Sequence, residues 1–226
     1  MKRRIVLIKG SGYKSGKDTA AAFIANELHR GRPRLILKGM FAYTVKKLAE
    51  SLTQMKMIDL NTPEQEHYIR YPFSNPTPDF SQIQKETYLT LWGMTLGRML
   101  QLLATEGMRN HFDKDIHVKA EAIRINNLVD EYAEGAKDIT VIISDWRFPN
   151  EEQISDYLIG DWDVHLVEVS RDTSDVDAGS WVGDNTGRDM MHESESYEMN
   201  SGHEISNNGS LLELAEACSQ FVKLIK

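Results

Sequence analysis

The sequence predicts an α/β protein with a mainly parallel, doubly wound sheet flanked by helices. Short β-branched or leucine-rich runs alternate with segments of helical spacing along most of the 226 residues, a pattern typical of parallel strands joined by helical crossovers. The hydrophobic fraction of 41% and the charged fraction of 27% lie close to globular averages. These observations exclude wholesale disorder and predict a single domain over residues 1–226.

The first part of the chain predicts two strand–helix pairs. Ile5–Ile8 is a compact apolar run that ends at a glycine-rich stretch, as a buried parallel strand would, and residues 18–29 then have helical spacing. A second strand at 35–37 and a helix at 44–52 follow. Residues 53–90 are irregular and contain four prolines, so we expect a binding loop or a small insertion there.

The second part continues the alternation. Residues 172–204 are polar and acidic, and we interpret them as a lid-like segment. The other predicted elements are helices at 96–108, 116–132 and 150–159 (the last with Asn150 as its cap), strands at 139–143 and 164–169, a return through 204–206 to a turn at 207–209, and a closing helix at 210–225.

The charge is divided unevenly along the chain. The formal net charge is −8, yet residues 1–56 carry thirteen Lys and Arg against three acidic residues, a net of +10, and residues 57–226 carry −18. This balance disfavours nucleic acid polymers and anionic membranes as partners. A positive region in an acidic protein predicts a small anionic ligand.

Cysteine content and hydropathy indicate a reducing compartment. The single cysteine, Cys218, cannot form an internal disulfide and is expected to pack as a small apolar residue in the closing helix. No apolar run approaches the roughly 20 residues that span a bilayer. We therefore expect a cytoplasmic protein.

The glycine-rich stretch 9–19 has the character of a phosphate-binding P-loop. It lies between a predicted strand and a predicted helix, where backbone N–H groups and the helix N-terminus attract phosphates. The strict pattern has glycine at the place of Ser11 and a hydroxyl residue at the place of Asp18, which Thr19 follows. The alternative is a strand-to-helix turn that binds nothing. The predicted nucleotide-binding residues are Gly12, Ser15, Gly16, Lys17, Asp18 and Thr19.

A carboxylate follows the clearest strand. Asp145 comes directly after residues 139–144, where P-loop proteins place a magnesium-linked or base-like carboxylate. Arg147 lies two residues on, and Glu151 opens the next predicted helix. A carboxylate beside a guanidinium suits a phosphorylated acceptor. The alternative is a turn residue and a surface ion pair.

A predicted helix face supplies further polar groups. Arg98, Gln101, Thr105 and Arg109 recur at intervals of three and four residues and so share one face of a helix. Such a face offers a phosphate grip, an amide and a hydroxyl. A solvated face is the alternative, for these residues and for Lys46.

Taken in order, the motifs resemble a known family. They are Ser15-Gly-Lys-Asp-Thr19, Phe41-Ala with Lys46, Arg98-Met-Leu-Gln101 with Thr105-Glu106, Asp145-Trp-Arg-Phe-Pro-Asn-Glu151, His192-Glu-Ser-Glu195 and Asn207-Asn-Gly-Ser-Leu211. This set is similar to that of the bacteriophage deoxynucleoside monophosphate kinases, P-loop enzymes with the nucleoside monophosphate kinase fold. The resemblance covers most of the chain and is weakest over 53–90 and 172–190.

The resemblance implies transfer of the γ-phosphoryl group of ATP to a deoxynucleoside monophosphate, with Mg²⁺ as cofactor. It implies that Lys17 and Thr19 contact ATP phosphates, with Thr19 and Asp145 at the metal. The implied acceptor pocket comprises Asp18, Lys46, Arg98, Gln101, Thr105, Asp145, Arg147 and Glu151. Where the family has an aromatic residue this chain has His117, so base selectivity is not carried over. By analogy with relatives, a homodimer remains open beside a monomer.

Positioning of the substrates together with neutralisation of phosphate charge by the cations defines the expected catalytic set. Its members are Lys17, Asp18, Arg98, Asp145, Arg147 and Arg188. Arg188 is the one cation in the acidic stretch 172–204, and we expect it to reach the phosphates when the lid closes. Two other functions remain open: a phosphomevalonate-type kinase, whose loop also reads Ser-Gly-Lys-Asp, and a nucleotide-binding regulatory ATPase.

Overall fold

The computed structural model describes residues 1–11, 15–30, 34–54, 87–172, 197 and 200–226. Its strands are β1 (Lys2–Gly10), β2 (Arg34–Gly39), β3 (Tyr88–Leu89), β4 (Met94–Thr95), β5 (Asp138–Ile143), β6 (Asp163–Ser170) and β7 (His203–Ser206). Its helices are α1 (Lys17–His29), α2 (Tyr43–Thr53), α3 (Leu96–Gln101), α4 (Ile116–Tyr132) and α5 (Leu211–Ile225). A π-helix (Leu102–Arg109) continues α3, and two 3₁₀-helices cover Thr90–Trp92 and Pro149–Tyr157.

Five of these strands form one sheet in the order β2-β5-β1-β6-β7, and every neighbouring pair in it is parallel. β3 and β4 form a separate antiparallel pair. The predicted α/β class with a mainly parallel sheet flanked by helices is confirmed at this level.

Helices cover both faces of the sheet because the side chains of β1 alternate. Val6 and Ile8 point into a core shared with α1 and α5, where Phe221 is buried. Ile5 and Leu7 point into the opposite core, shared with α4 and with the 3₁₀-helix through Ile154. Each face therefore buries an apolar layer, and this fixes the register of the central strand.

The closing helix, α5, lies at the predicted place and has a capped N-terminus. The Ser210 side chain accepts a hydrogen bond from the amide of Glu213, and the Glu213 carboxylate accepts one from the amide of Ser210, which is a reciprocal capping box. Cys218 is fully buried, as expected. No helix in the described part of the chain is long and apolar enough to cross a membrane.

Two predicted helices differ in kind. Residues 149–157 form a 3₁₀-helix whose N-cap is Phe148, not Asn150, and the Glu151 side chain bonds back to the Phe148 amide. The predicted helix at 96–108 is α-helical only to Gln101 and then becomes π-helical. The core of the predicted insertion (55–86) and most of the lid-like segment (173–196, 198–199) lie outside the described residues.

Candidate functional site

The parallel sheet brings several loops to one edge. Residues that follow β1, β2, β5, β6 and β7 all lie at the carboxyl ends of their strands. The chain after β1 crosses one face of the sheet through α1, whereas the chain after β5 crosses the other through the 3₁₀-helix. Ligands of open parallel sheets bind where neighbouring connections diverge in this way. The crevice between the ends of β1 and β5 is thus the candidate site.

A left-handed glycine begins α1. Gly16 has φ +90°, a conformation that side chains of L-residues rarely adopt, and a Cβ atom there would collide with the Asn207 side chain. Asn207, which follows β7, donates a hydrogen bond from Nδ2 to the carbonyl oxygen of buried Ser15 over 2.8 Å. The loop after β7 therefore fixes the position of the start of α1.

Ser11, which lies where the strict pattern has glycine, is bonded to the end of β6. Its amide donates to the carbonyl of Val169 over 3.0 Å, and its hydroxyl accepts a hydrogen bond from the Arg171 amide over 3.3 Å. The ends of β1 and β6 are joined by these bonds.

Lys17, Asp18 and Ser144 form a chain of polar contacts across the crevice. The Lys17 ammonium lies 2.9 Å from Asp18 Oδ2, and the Ser144 hydroxyl donates to Asp18 Oδ1 over 2.6 Å. Desolvation of the carboxyl group in the crevice acts to raise the pKa of Asp18, although the side chain is largely exposed. The Lys17 charge and the Ser144 hydrogen bond outweigh this effect and hold the pKa below its usual value. Asp18 is therefore a carboxylate at neutral pH, and it bridges α1 and the end of β5.

Asp145, the next residue, anchors the start of α2. Its Oδ1 accepts a hydrogen bond from the amide of Phe41 and its Oδ2 one from the amide of Ala42, each over 3.0 Å. Both N–H groups belong to the turn between β2 and α2, where helix-start amides lack intrahelical partners. Both carboxylate oxygens of Asp145 thus have backbone partners.

The same turn is held from its other side by α4. Glu121 accepts a 2.9 Å hydrogen bond from the Met40 amide and pairs with Arg124 at 2.6 Å, while Arg124 also donates to the carbonyl of Lys38 over 2.6 Å. Its guanidinium lies over the Tyr43 ring, 4.6 Å from the centroid. This buried pair and Asp145 together fix the position of α2.

Lys46 lies in the first turns of α2 and faces the crevice. Burial lowers the pKa of its ammonium group, although Asp145 and Asp18 act to raise it, and the charges of Lys38 and Arg147 also lower it. The Lys46 Nζ atom lies 3.3 Å from the Met40 sulfur. The basic side chains of Lys38, Lys46 and Arg147 thus lie near one another at the crevice. Such a cluster attracts an anion.

Glu151 is a support of the main chain beside Arg147. Its side chain is buried, and its Oε2 accepts hydrogen bonds from the amides of Arg147 (2.7 Å) and Phe148 (3.0 Å). Burial raises its pKa to about 8, although these two hydrogen bonds act to lower it. It fixes the segment that carries Arg147.

The polar residues of α3 and its π-helical extension have different surroundings. Arg98 pairs with Glu106 at 2.7 Å, and Thr105 is buried. Arg109 points toward the segment after β5, where it donates to Asn150 over 3.2 Å and lies over the Phe148 ring. The predicted common face of Arg98, Gln101, Thr105 and Arg109 thus begins on an α-helix and continues on wider π-helical turns from Leu102 to Arg109.

His117 packs between helices. Its Nε2 lies 2.9 Å from the Ala104 carbonyl oxygen, its ring is buried, and burial lowers its pKa. Gly12 and Arg188, both predicted site residues, lie outside the described residues.

Hard oxygen donors are available for a divalent cation. The described residues contain no group of three or more His, Cys, Asp and Glu side chains that would hold a metal by themselves. Mg²⁺ is usually held by one or two carboxylates together with substrate phosphates and water, so the Asp18 carboxylate and the hydroxyls of Ser144 and Thr19 fit this ion.

Sequence reasoning overlooked Ser144 and Asn207 as site residues. Both directly follow strands, β5 and β7, so their position at the carboxyl edge of the sheet was the available signal.

Comparison with models of protein families found no match for the chain, and comparison with curated proteins found none either.

Proposed function

We propose that the chain is a P-loop kinase that transfers the γ-phosphoryl group of ATP to a deoxynucleoside monophosphate. The main observation in support is Lys17 at the start of α1, at the carboxyl edge of a parallel sheet, with the amino group of Lys46 among the charged groups of the same crevice. Such an arrangement provides one cation for the donor phosphates and another for the acceptor phosphate.

Positioning and charge neutralisation account for the reaction in this proposal. An oxygen of the acceptor phosphate forms the new bond to the γ-phosphorus as the bond to the β,γ-bridging oxygen breaks, and ADP leaves with that oxygen. The attacking oxygen is already ionised, so the site needs no strong general base. Lys17 binds the donor phosphates, and bound Mg²⁺ supplies further neutralisation of phosphate charge.

Lys46 and Arg147 bind the acceptor phosphate in this account. Their backbones are fixed by Asp145 and Glu151 through hydrogen bonds to neighbouring amides. Rigid placement of both substrates is the principal contribution a protein makes to phosphoryl transfer. Arg98 and Gln101 lie on α3, which packs against α2 through Met99 and Ala49, and in this proposal they line the acceptor pocket.

A panel of acceptors tests this function. The protein is incubated with ATP and Mg²⁺ and either one of the four deoxynucleoside monophosphates, an isoprenoid monophosphate, or no acceptor, and ADP formation is followed. We expect ADP only with a deoxynucleoside monophosphate. Turnover with the isoprenoid phosphate alone would favour the phosphomevalonate-type kinase, and slow acceptor-independent hydrolysis would favour the regulatory ATPase.

A further inference from the structure

Two contacting residues at the crevice, one acidic and one with a hydroxyl group, lie on the opposite elements from their counterparts in P-loop nucleotide hydrolases. P-loop nucleotide hydrolases hold Mg²⁺ with a hydroxyl residue directly after the loop lysine and with an aspartate at the end of a neighbouring strand. Here the residue after Lys17 is Asp18, and the residue in contact with it at the end of β5 is Ser144, over 2.6 Å. The pair is the usual one with its two members interchanged.

Asp145 is engaged elsewhere. Its two oxygens accept the amides of Phe41 and Ala42, so to bind a metal it would have to share or give up the bonds that start α2. Asp18 does not hold backbone amides in this way. Its side chain is 72% exposed, and its Oδ2 is paired with the ammonium group of Lys17, which lies at the end of a flexible side chain. A lysine that turns to phosphates can leave this carboxylate oxygen to another cation.

We propose that Asp18 and Ser144 form the Mg²⁺-facing pair of the site, with Asp18 as the carboxylate ligand and Ser144 as the residue that orients it. This inference rests on the proposed nucleotide-binding function and replaces the assignment of the metal to Asp145. In the absence of nucleotide, Lys17 balances the charge of Asp18. With ATP bound, Lys17 would contact phosphate, and the Asp18 carboxylate would then be available to hold the cation.

Equilibrium binding of ATP with and without Mg²⁺ tests the inference without any turnover. The dissociation constant of ATP is measured by calorimetry for the wild type and for Asp18→Asn. Each protein is measured once in EDTA and once in excess Mg²⁺. We expect Mg²⁺ to tighten wild-type binding at least about tenfold, a free energy of about 1.4 kcal/mol. In Asp18→Asn this gain should fall to less than about twofold. Ser144→Ala should lose part of it.

Matched variants separate this effect from a general change of charge. Asp113 also pairs with a lysine, Lys119, at 2.5 Å, and the charges that act on its pKa are those of Lys119 and Lys114 and not those of the crevice, so Asp113→Asn should keep the full gain. The double variant Asp18→Ser, Ser144→Asp restores the usual order and should recover the gain lost in Asp18→Asn. Circular dichroism checks that each variant is folded.

Two results would overturn the inference. If Asp18→Asn keeps the wild-type gain while Asp145→Asn loses it, the metal belongs to Asp145 although the protein still binds nucleotide. If the wild type binds no ATP under either condition, the proposed function fails and this inference fails with it.

Discussion

Lys46 and Lys47 are neighbours on α2 with different surroundings. Lys46 faces the crevice among Lys38, Arg147 and Asp145, whereas Lys47 pairs with Glu50 at 3.4 Å on the outer side and lies over the Tyr43 ring. The two lysines therefore provide a matched pair for testing the acceptor site.

We expect Lys46→Ala to raise the KM for the acceptor about 10- to 100-fold, because a charge-assisted contact to phosphate is worth roughly 1.5–3 kcal/mol. Lys47→Ala should change this KM less than about twofold. Steady-state kinetics with the acceptor varied at saturating ATP measures both. Equal effects of the two substitutions would contradict the placement of the acceptor phosphate.

At the scale of elements, Asp145 joins the end of β5 to the start of α2. Asp145→Ala removes the acceptor of the Phe41 and Ala42 amides. Loss of a fully buried acceptor costs about 1–3 kcal/mol in the free energy of unfolding. Asp145 is half-buried, so urea denaturation should show a decrease at the lower end of this range. Asp145→Asn should lose less because it keeps one oxygen.

Asp156→Ala is the control for this experiment. Asp156 is exposed on the 3₁₀-helix, and surface substitutions of this kind change stability by about 0.5 kcal/mol or less. Similar losses for Asp145→Ala and Asp156→Ala would show that the anchor at α2 contributes little.

Glu151, on the 3₁₀-helix, makes the free energy of unfolding of the protein depend on pH. Its pKa in the folded protein is about 8, above the ordinary value of 4.5, so the folded state holds a proton that the unfolded state releases. Its contribution is therefore fully present below pH 4.5 and is lost as the pH rises toward 8, with a slope of up to about 1.4 kcal/mol per pH unit.

The variant Glu151→Gln removes this titration while it keeps an oxygen acceptor for the Arg147 and Phe148 amides. The difference in unfolding free energy between variant and wild type should shift in favour of the variant from pH 5.5 to pH 7.5. Urea denaturation at several pH values measures this difference, and parallel pH profiles would contradict the raised pKa.

The sequence was sufficient for the elements that repeat a simple pattern. The apolar run at 139–143 and the helical spacing at 116–132 predicted β5 and α4 within their observed bounds, because burial of one face dictates both patterns. The 3₁₀-helix at 149–157 and the π-helix at 102–109 were not predicted. Their side-chain spacing resembles that of an α-helix. Both also contact the region of α4, through Asn150 with Asp115 and through Ala104 with His117, and local spacing does not report such contacts.

The site was predicted in its residue types more than in its contacts. Strand, glycines and lysine in sequence placed the candidate site at Lys17. The partners of Asp145 lie over a hundred residues away in β2 and α2, and no local spacing reports such a contact. The pairing of Asp18 with Ser144 likewise depends on the neighbouring positions of β1 and β5 in the sheet.

On the scale of the whole molecule, the uneven charge of the sequence has a structural counterpart. The basic N-terminal region supplies Lys17, Lys38 and Lys46 to the carboxyl edge of the sheet, where strands from three later parts of the chain also end. A chain of net charge −8 thereby concentrates cations at one crevice. This distribution favours a small phosphate-bearing ligand over a nucleic acid polymer.

The most direct test of the account is transfer of label from [γ-³²P]ATP to a deoxynucleoside monophosphate, with products separated by chromatography. The account predicts labelled deoxynucleoside diphosphate with the wild type. With folded Lys17→Ala it predicts a rate lower by about 10²–10³, the size of effect seen when one charge-stabilising donor is removed. Absence of labelled diphosphate with all four acceptors, or an equal rate with Lys17→Ala, would contradict it.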